Sequence, residues 1–371
     1  MPRRHLTRVT VVDAKSLHER LVAAWRLNTT APGPKEALLA AMEALLADAR
    51  ALGDPAMLFK VRVGHAYALR HEALEQGSAR ARSEMFAALR ECVRFAYAEP
   101  ELADRSHVKA MWTQLFIVLD WIIGTRPEPA DRVRRLLDEL DRHVPAGRPW
   151  TFTVGSARMS LEARCGNVAE VERIWRGLRA EWPPREGFRA DRVATSKAII
   201  WTRLGRHRDA IAALAPVLAG QVPRDETVAH EGALLMPYLH TGRADEAVAA
   251  HHRTYTRTGV KHGIVAAQLE FCARTGNEER GVEVLRLHLA DIEDGCDSVD
   301  TMWTAAAAAL LCGRLGRGWA ELGERLHEQA VAFAARLDRL NGTSHAGASI
   351  GALLHAEPLH DRLPLPDPDI G

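Results

Sequence analysis

The sequence predicts an all-α protein built of successive antiparallel helix hairpins, and three observations carry that prediction. Composition is the first: 61 alanines and 43 arginines, against 6 lysines, stand among 371 residues rich also in leucine and glutamate, all good helix formers. Aromatic residues make up only 6% and the β-branched strand signature is thin. Third, apolar residues recur at the helical period from about Asp13 to Leu354, and alternation of period two never persists long enough for a sheet. The arginine-over-lysine bias reflects codon usage in a high-GC bacterial genome and says nothing of mechanism.

From Pro34 the stretch KEALLAAMEALLADARAL places Leu38, Ala41, Met42, Leu45 and Leu46 on one stripe, and Gly53 ends it. Asp54-Pro55 then reads as an N-cap followed by proline at the first helical position, where the missing N–H is harmless. The next helices carry Leu58, Val61, Val63, Ala66 and Leu69, then, after Gly77-Ser78, Met85, Leu89, Val93 and Phe95. A helix over Val108 to Ile123 holds Met111, Trp112, Leu115, Phe116, Leu119 and Ile122, and the Gly124 to Pro129 segment breaks it. Ala130 to His143 adds Val133, Leu136, Leu137 and Leu140 on one side, with Arg132, Arg134 and Arg135 among Asp131, Asp138, Glu139 and Asp141 on a salt-bridged solvated face.

In the second half the breaks repeat: CGNVAEV at Gly166, LGRHRDAI at Gly205, TGRADEAV at Gly242, TGNEERGV at Gly276 and, less cleanly, CGRLGRGW at Gly313. They are 39, 37, 34 and 37 residues apart. Each glycine suits the left-handed residue just past a helix end, and five residues on stand Val171, Ala210, Ala247, Gly281 and Gly318. Small residues there let the second helix of a hairpin pack closely on the first. One hairpin cannot bury its own apolar face, so neighbours must stack. After Gly316 a long helix runs to about Leu340, Asn341-Gly342 stops it, and a short capping helix follows over His345 to Leu354. The tail EPLHDRLPLPDPDIG should be extended, because its prolines fix φ and remove donors; a loose terminus is the simplest expectation for it.

These motifs resemble the tetratricopeptide repeat family, an antiparallel helix pair with glycine at the turn and alanine early in the second helix. WTRLGRHRDAIAALAPVL matches best, with Trp201, Gly205, Ala210 and Ile211 in the characteristic places; PYLHTGRADEAVAA, with Tyr238, Gly242, Ala247 and Val248, is next. The resemblance covers about half the chain, with irregular tryptophans, spacings mostly above the family's and repeat-ending prolines chiefly at Pro183-Pro184 and Pro223. It implies a right-handed superhelix, an α-solenoid of stacked antiparallel hairpins. The expected organisation is N-terminal helical hairpins over 1–148, as degenerate repeats or a separate helical module, a repeat array over 149–340, and a capping helix with a proline-rich extended tail over 341–371.

Chemistry-bearing motifs are sparse. The longest nearly uncharged stretch, Thr301 to Cys312, has 12 residues, against the roughly 20 a membrane-spanning helix needs. The opening MPRRHLTRVTVVDAKS has no apolar h-region, so no secretory leader is expected and a cytoplasmic location is. A net charge of +1 offers no global field for nucleic acid, and PRRHLTR is too short a basic stretch to supply one. The cysteines Cys92, Cys165, Cys272, Cys296 and Cys312 are odd in number and unpaired in spacing, and the 17 histidines form no H-E-x-x-H. Asp291, Asp294 and Asp297 lie in an acidic turn that reads as a solvated loop with Ser298 as the next N-cap. No phosphate-binding glycine loop follows a strand. Hence no metal, no cofactor, no membrane and no nucleic acid are expected, and no catalytic set can be named.

One constellation follows from the resemblance, which implies that the first helix of each pair lines a concave groove. Two residues before each turn glycine stand Arg164, Arg203, His240 and Arg274, then Leu311 in the weakest repeat; six before stand Ser160, Ile199, Met236 and Glu270. The expected function is a peptide- or protein-binding scaffold, acting as adaptor, regulatory subunit or peptide sensor, with that basic column capturing acidic groups. The competing explanation of the column is that cations in a last helical turn complement the helix dipole, whatever binds. The rival functions are an enzyme in a repeat scaffold using Glu270 and His240 as acid and base, and a homo-oligomer joined through an exposed end of the array.

Overall fold

A computed structural model describes residues 13–27, 35–143, 149–179, 190–222, 230–255, 262–293 and 295–366. The PRRHLTR segment, Pro183-Pro184, Pro223, Asp294 and Pro368 lie outside the described residues. Within them every regular element is helical and there is no strand. No helix among the described residues is long and apolar enough to cross a membrane. The chain divides into two compact units, residues 1–118 with 139–146, and residues 119–138 with 147–371.

The first unit holds helices α1 (Ala14–Leu27), α2 (Lys35–Leu52), α3 (Pro55–Arg70) and α4 (Ala79–Ala98), and most of α5 (Arg105–Asp120). The first four pack in sequence, each on the next. Asp54 caps α3 as its sequence predicts, its carboxylate accepting from the amides of Ala56 and Met57 at 2.9 and 3.1 Å. Gly64 lets α3 approach α2, since a Cβ there would lie 2.9 Å from the Met42 sulfur. Phe59 and Phe95 stack at 5.2 Å in the core between α3 and α4. The predicted Val108 to Ile123 helix is α-helical only to Asp120; the next turn, Trp121–Thr125, widens to π-helical geometry, and Arg126 closes it by donating its amide to the Trp121 carbonyl.

Among the described residues the second unit contains most of α6 (Ala130–Asp141) and five hairpins. These pair α7 (Pro149–Arg164) with α8 (Val168–Arg179), α9 (Ala190–Arg203) with α10 (His207–Leu218), α11 (Leu235–His240) with α12 (Ala244–Thr254), α13 (His262–Arg274) with α14 (Glu278–Glu293), and α15 (Val299–Leu315) with α16 (Ala320–Asn341). First helices also touch one another: α7 meets α9, α9 meets the 3-10 turn His230–Leu234 that leads into α11, and α13 lies between α11 and α15. The turns at Gly166, Gly205, Gly242 and Gly276 all carry positive φ, between 65° and 76°, which only glycine adopts without strain. Val171, Ala210 and Ala247, early in the second helices, are fully buried, and a Cβ on Gly281 would strike Leu311 at 2.7 Å. Trp201 and Tyr238 are buried packing residues.

The fifth turn is displaced from its expected place. Gly313 lies inside α15, and the residue with positive φ is Gly316, at 83°. The reason is local: the amide of Gly316 bonds back to the Cys312 carbonyl and the Arg317–Trp319 turn follows, so the helix runs one turn further than the CGRLG string implies. The small residue of this crossing is consequently Gly323, where a Cβ would lie 3.0 Å from that of Cys312, and not Gly318. The end of the described chain follows the sequence closely: α16 stops at Gly342, φ 67°, and α17 (His345–Leu354) caps the unit. Beyond it the tail is extended but tied down, with Leu359, Leu363 and Leu365 packed against the core, so the expectation of a loose terminus fails for residues 356–366.

Candidate functional site

Arg164, Arg203, His240 and Arg274 are the last residues of α7, α9, α11 and α13, where a positive group complements the helix dipole. With the true fifth turn at Gly316, the residue two before it is Arg314 and not Leu311, so the basic column continues through all five first helices.

The column's first four members border two adjoining cavities, whereas Arg314 lines neither. The first, of about 180 Å³, is lined by Ser160, Arg164, Ile199, Arg203, Asp300 and Trp303 among others. The second, of about 240 Å³, is lined by Arg203, Met236, His240, Glu270, Arg274 and their neighbours. Ile199, Arg203, Trp303 and Ser349 line both, so Arg203 and Trp303 stand at the divide. A dry hole of about 150 Å³ accommodates a benzene ring, and each cavity therefore has room for a large side chain. The residues six before the turns, Ser160, Ile199, Met236 and Glu270, line the same two cavities.

The cations are engaged within the chain. Arg164 is buried and donates to the carbonyls of Ile123 at 3.1 Å and Glu128 at 2.8 Å, clamping the loop after the π-helical turn; burial pushes its guanidinium down to about 10. Arg203 donates to Asp300 Oδ1 at 2.7 Å and lies over the Trp303 ring at 5.1 Å. Arg274 donates to Glu270 Oε1 at 3.0 Å and, through Nε, to the Glu357 carbonyl at 3.1 Å. Arg314 repeats that contact, donating to the Ala356 carbonyl at 2.7 Å. Burial raises the Glu270 carboxyl, with Arg274 opposing the shift. His240 stacks on His207 at 4.2 Å with the rings nearly parallel, and burial, then His207, then Arg274 push it down to about 4. Near neutral pH it contributes a neutral imidazole to the column.

Arg203 is the most open of the cations that line the cavities, its side chain 20% exposed against 13% for Arg274, and its partner Asp300 is in the first turn of α15 and itself lines the cavity. Sequence reasoning missed Trp303, Asp300 and His207. The Ser298–Thr301 capping box that starts α15 is legible locally, but Asp300 meets Arg203 across 97 residues and no local signal reports that pairing. His207 follows the Gly205 turn as the first residue of α10, and no local signal ties it to His240.

Two further histidine clusters are internal. His230 shares a buried cluster with Thr195 at 2.7 Å, and His251 bonds Gln268, which donates to Thr254 at 2.5 Å. Burial raises every cysteine thiol, Cys92 to about 12 and Cys296 and Cys312 to about 11, so these sulfurs are weak nucleophiles at neutral pH. Among the described residues no group of three or more histidine, cysteine or acidic side chains could hold a metal ion. Neither the protein-family models nor the curated proteins contain a match to this chain.

Proposed function

We propose that this chain is a tetratricopeptide-like repeat protein whose stacked hairpins wind into a right-handed superhelix, and that its concave side binds an extended segment of a protein or peptide partner. Adaptor, regulatory subunit and peptide sensor are all roles of such a groove. One observation carries the reading: residues two and six before the turn glycines of α7, α9, α11 and α13 line two adjoining cavities, each large enough for one side chain. A partner would place successive side chains in the two cavities and present a carboxylate to Arg203, exchanging with Asp300 through charge-assisted hydrogen bonds. Trp303, beneath that guanidinium, supplies the apolar surface that anchors peptide ligands.

The rival reading, acid and base catalysis by Glu270 and His240, has weaker support. The Glu270 carboxylate is paired with Arg274, and the imidazole stacks on a second histidine. Probing the full chain with an array of acidic and apolar extended peptides tests the proposal. A retained peptide should lose at least about tenfold in affinity with Arg203→Ala and again with Trp303→Ala, and should bind more weakly as salt rises. No retained peptide, or affinities unchanged in both variants, would overturn it.

A further inference from the structure

Among the described residues the tail passes directly over the hairpin turn at Gly276, and the turn is shaped for it. Gly276 has φ +65°, and a Cβ there would stand 1.8 Å from the carbonyl oxygen of Asp361. At Gly205 and Gly242, with similar φ, the same hypothetical atom meets nothing within 4 Å. Gly276 therefore answers two demands, the left-handed turn and the close passage of another backbone.

Around it the chain builds a set of directed contacts. The last carbonyls of a helix lack partners of their own, and the tail supplies them: the Leu359 and His360 amides donate to the Arg274 carbonyl at 2.7 and 3.2 Å, and the Leu363 amide donates to the Thr275 carbonyl at 2.8 Å. The Asn277 carboxamide donates to the Leu363 carbonyl at 3.0 Å, and its orientation is fixed by Thr275, whose carbonyl and hydroxyl each accept from it at 2.9 Å. Leu359, Leu363 and Leu365 turn inward and are partly buried, while His360, Asp361, Arg362 and Pro364 are exposed. Leu363 and Pro364 lie beside Val248, Ala249 and His252 on α12.

Of the four hydrogen bonds that reach residues 359–363, three run from main chain to main chain, and none depends on the tail's own side chains. Sequence preference resides in three leucine positions and in prolines that favour an extended backbone. With no secondary structure and only partly buried anchors, such a segment belongs to the low-stability end of a fold, where local opening needs little free energy.

We propose that the Thr275–Asn277 turn, with the adjoining face of α12, is a peptide-binding seat for an extended segment carrying leucines in the spacing Leu-x-x-x-Leu-x-Leu, and that the chain's own residues 359–365 occupy it in cis. A partner segment of that spacing binds by exchange with the tail. The seat lies on the turn and not in the groove, so the proposal stands apart from the groove reading.

The test uses the full chain and a fluorescent peptide with the sequence of residues 356–366. In wild type the tail competes and the peptide binds weakly. In the full-chain variant Leu359→Ser with Leu363→Ser the tail is unseated, and the peptide should bind at least about tenfold more tightly. Adding Asn277→Ala should remove that gain. Equal binding to wild type and the double variant, with helicity and melting preserved, overturns the proposal. Should the double variant fold poorly, hydrogen exchange on wild type decides: the amides of Leu359 and Leu363 should exchange well before those of α13 and faster still with excess peptide. Exchange of those two amides only with global unfolding, unchanged by peptide, refutes an exchangeable seat.

Discussion

Arg274 donates from Nε to the main-chain carbonyl of Glu357, 83 residues further on, at 3.1 Å. Arg314 donates through Nη2 to the carbonyl of Ala356, and Arg164 through Nη1 and Nη2 to those of Ile123 and Glu128. The recurring cation at the end of a first helix thus serves in three of five hairpins as a clamp on the backbone of another segment. Its placement satisfies the helix dipole and a loop carbonyl at once.

Charge reversal in the column should therefore be far from uniform. Arg164→Glu leaves a buried carboxylate facing three carbonyl oxygens and should lower stability by roughly 3–5 kcal/mol, the scale of a buried charge stripped of its partner. Arg203→Ala, at a partly exposed ion pair, should cost about 1 kcal/mol or less. Urea unfolding of each variant checks the contrast. Equal losses would show that Arg164 does not clamp the loop.

Lys197 makes a second prediction. It is buried on α9, its Nζ donates to the Ser156 carbonyl at 3.1 Å, and burial pushes its ammonium down to about 7, with the Asp120 charge opposing. The folded-state value lies below the unfolded 10.5, so between those pH values the unfolded chain holds the extra proton and stability rises with pH. Lys197→Met should remove that rise. It should be neutral or stabilising by about 1–4 kcal/mol near pH 7, as when buried ionic groups are replaced by apolar ones of similar size. Denaturant unfolding from pH 6 to 10 measures both effects.

Much of the helix framework was legible because its signals are local. The Asp54 and Ser298 caps, the positive-φ turns from Gly166 to Gly276 and the stop at Asn341-Gly342 depend on residues within a few positions of one another. The fifth turn misled because CGRLG offers two glycines and the alanine-rich helix continues past the first. Site geometry was only half legible. Register placed Arg203, His240, Glu270 and Arg274 around shared cavities, but Trp303 and Asp300 arrive from a distant helix, and the contacts that hold Arg164 and Arg274 are with loop carbonyls, which no side-chain pattern encodes.

Acid should weaken the second unit through His240. Its folded value near 4 lies below the unfolded 6.5, so the unfolded chain binds the proton first and stability falls as pH drops from about 6.5 to 4. His207, lowered mainly by burial, and His251, pushed down to about 4, add slope of the same sign. His240→Phe keeps a ring to stack on His207 and should reduce the acid-limb slope without abolishing it. Stability measured at half-unit pH steps would show this, and an unchanged slope would exclude His240 as a contributor.

The hairpin crossings should resist enlargement. Ala210 and Ala247 are wholly buried where each second helix meets its first, so Ala210→Trp and Ala247→Trp should each destabilise by roughly 1–3 kcal/mol through overpacking. Thermal melts that match the parent would place these positions at the surface and refute the crossing geometry.

Paired glycine substitutions separate turn strain from the tail's contact. Gly242→Ala and Gly276→Ala both force alanine into a left-handed conformation, φ 74° and 65°, at a cost of about 1–2 kcal/mol. Around Gly242 the added methyl meets nothing, whereas at Gly276 it coincides with the Asp361 carbonyl, so only the second change must lift the tail. Arg362 is exposed and next to that carbonyl, which makes trypsin a direct reporter. Cleavage after Arg362 should be slow in wild type, little faster in Gly242→Ala and much faster in Gly276→Ala, while helicity stays the same in all three. Similar cleavage in both variants would mean that the tail responds to general destabilisation and that the close passage over Gly276 does not hold it.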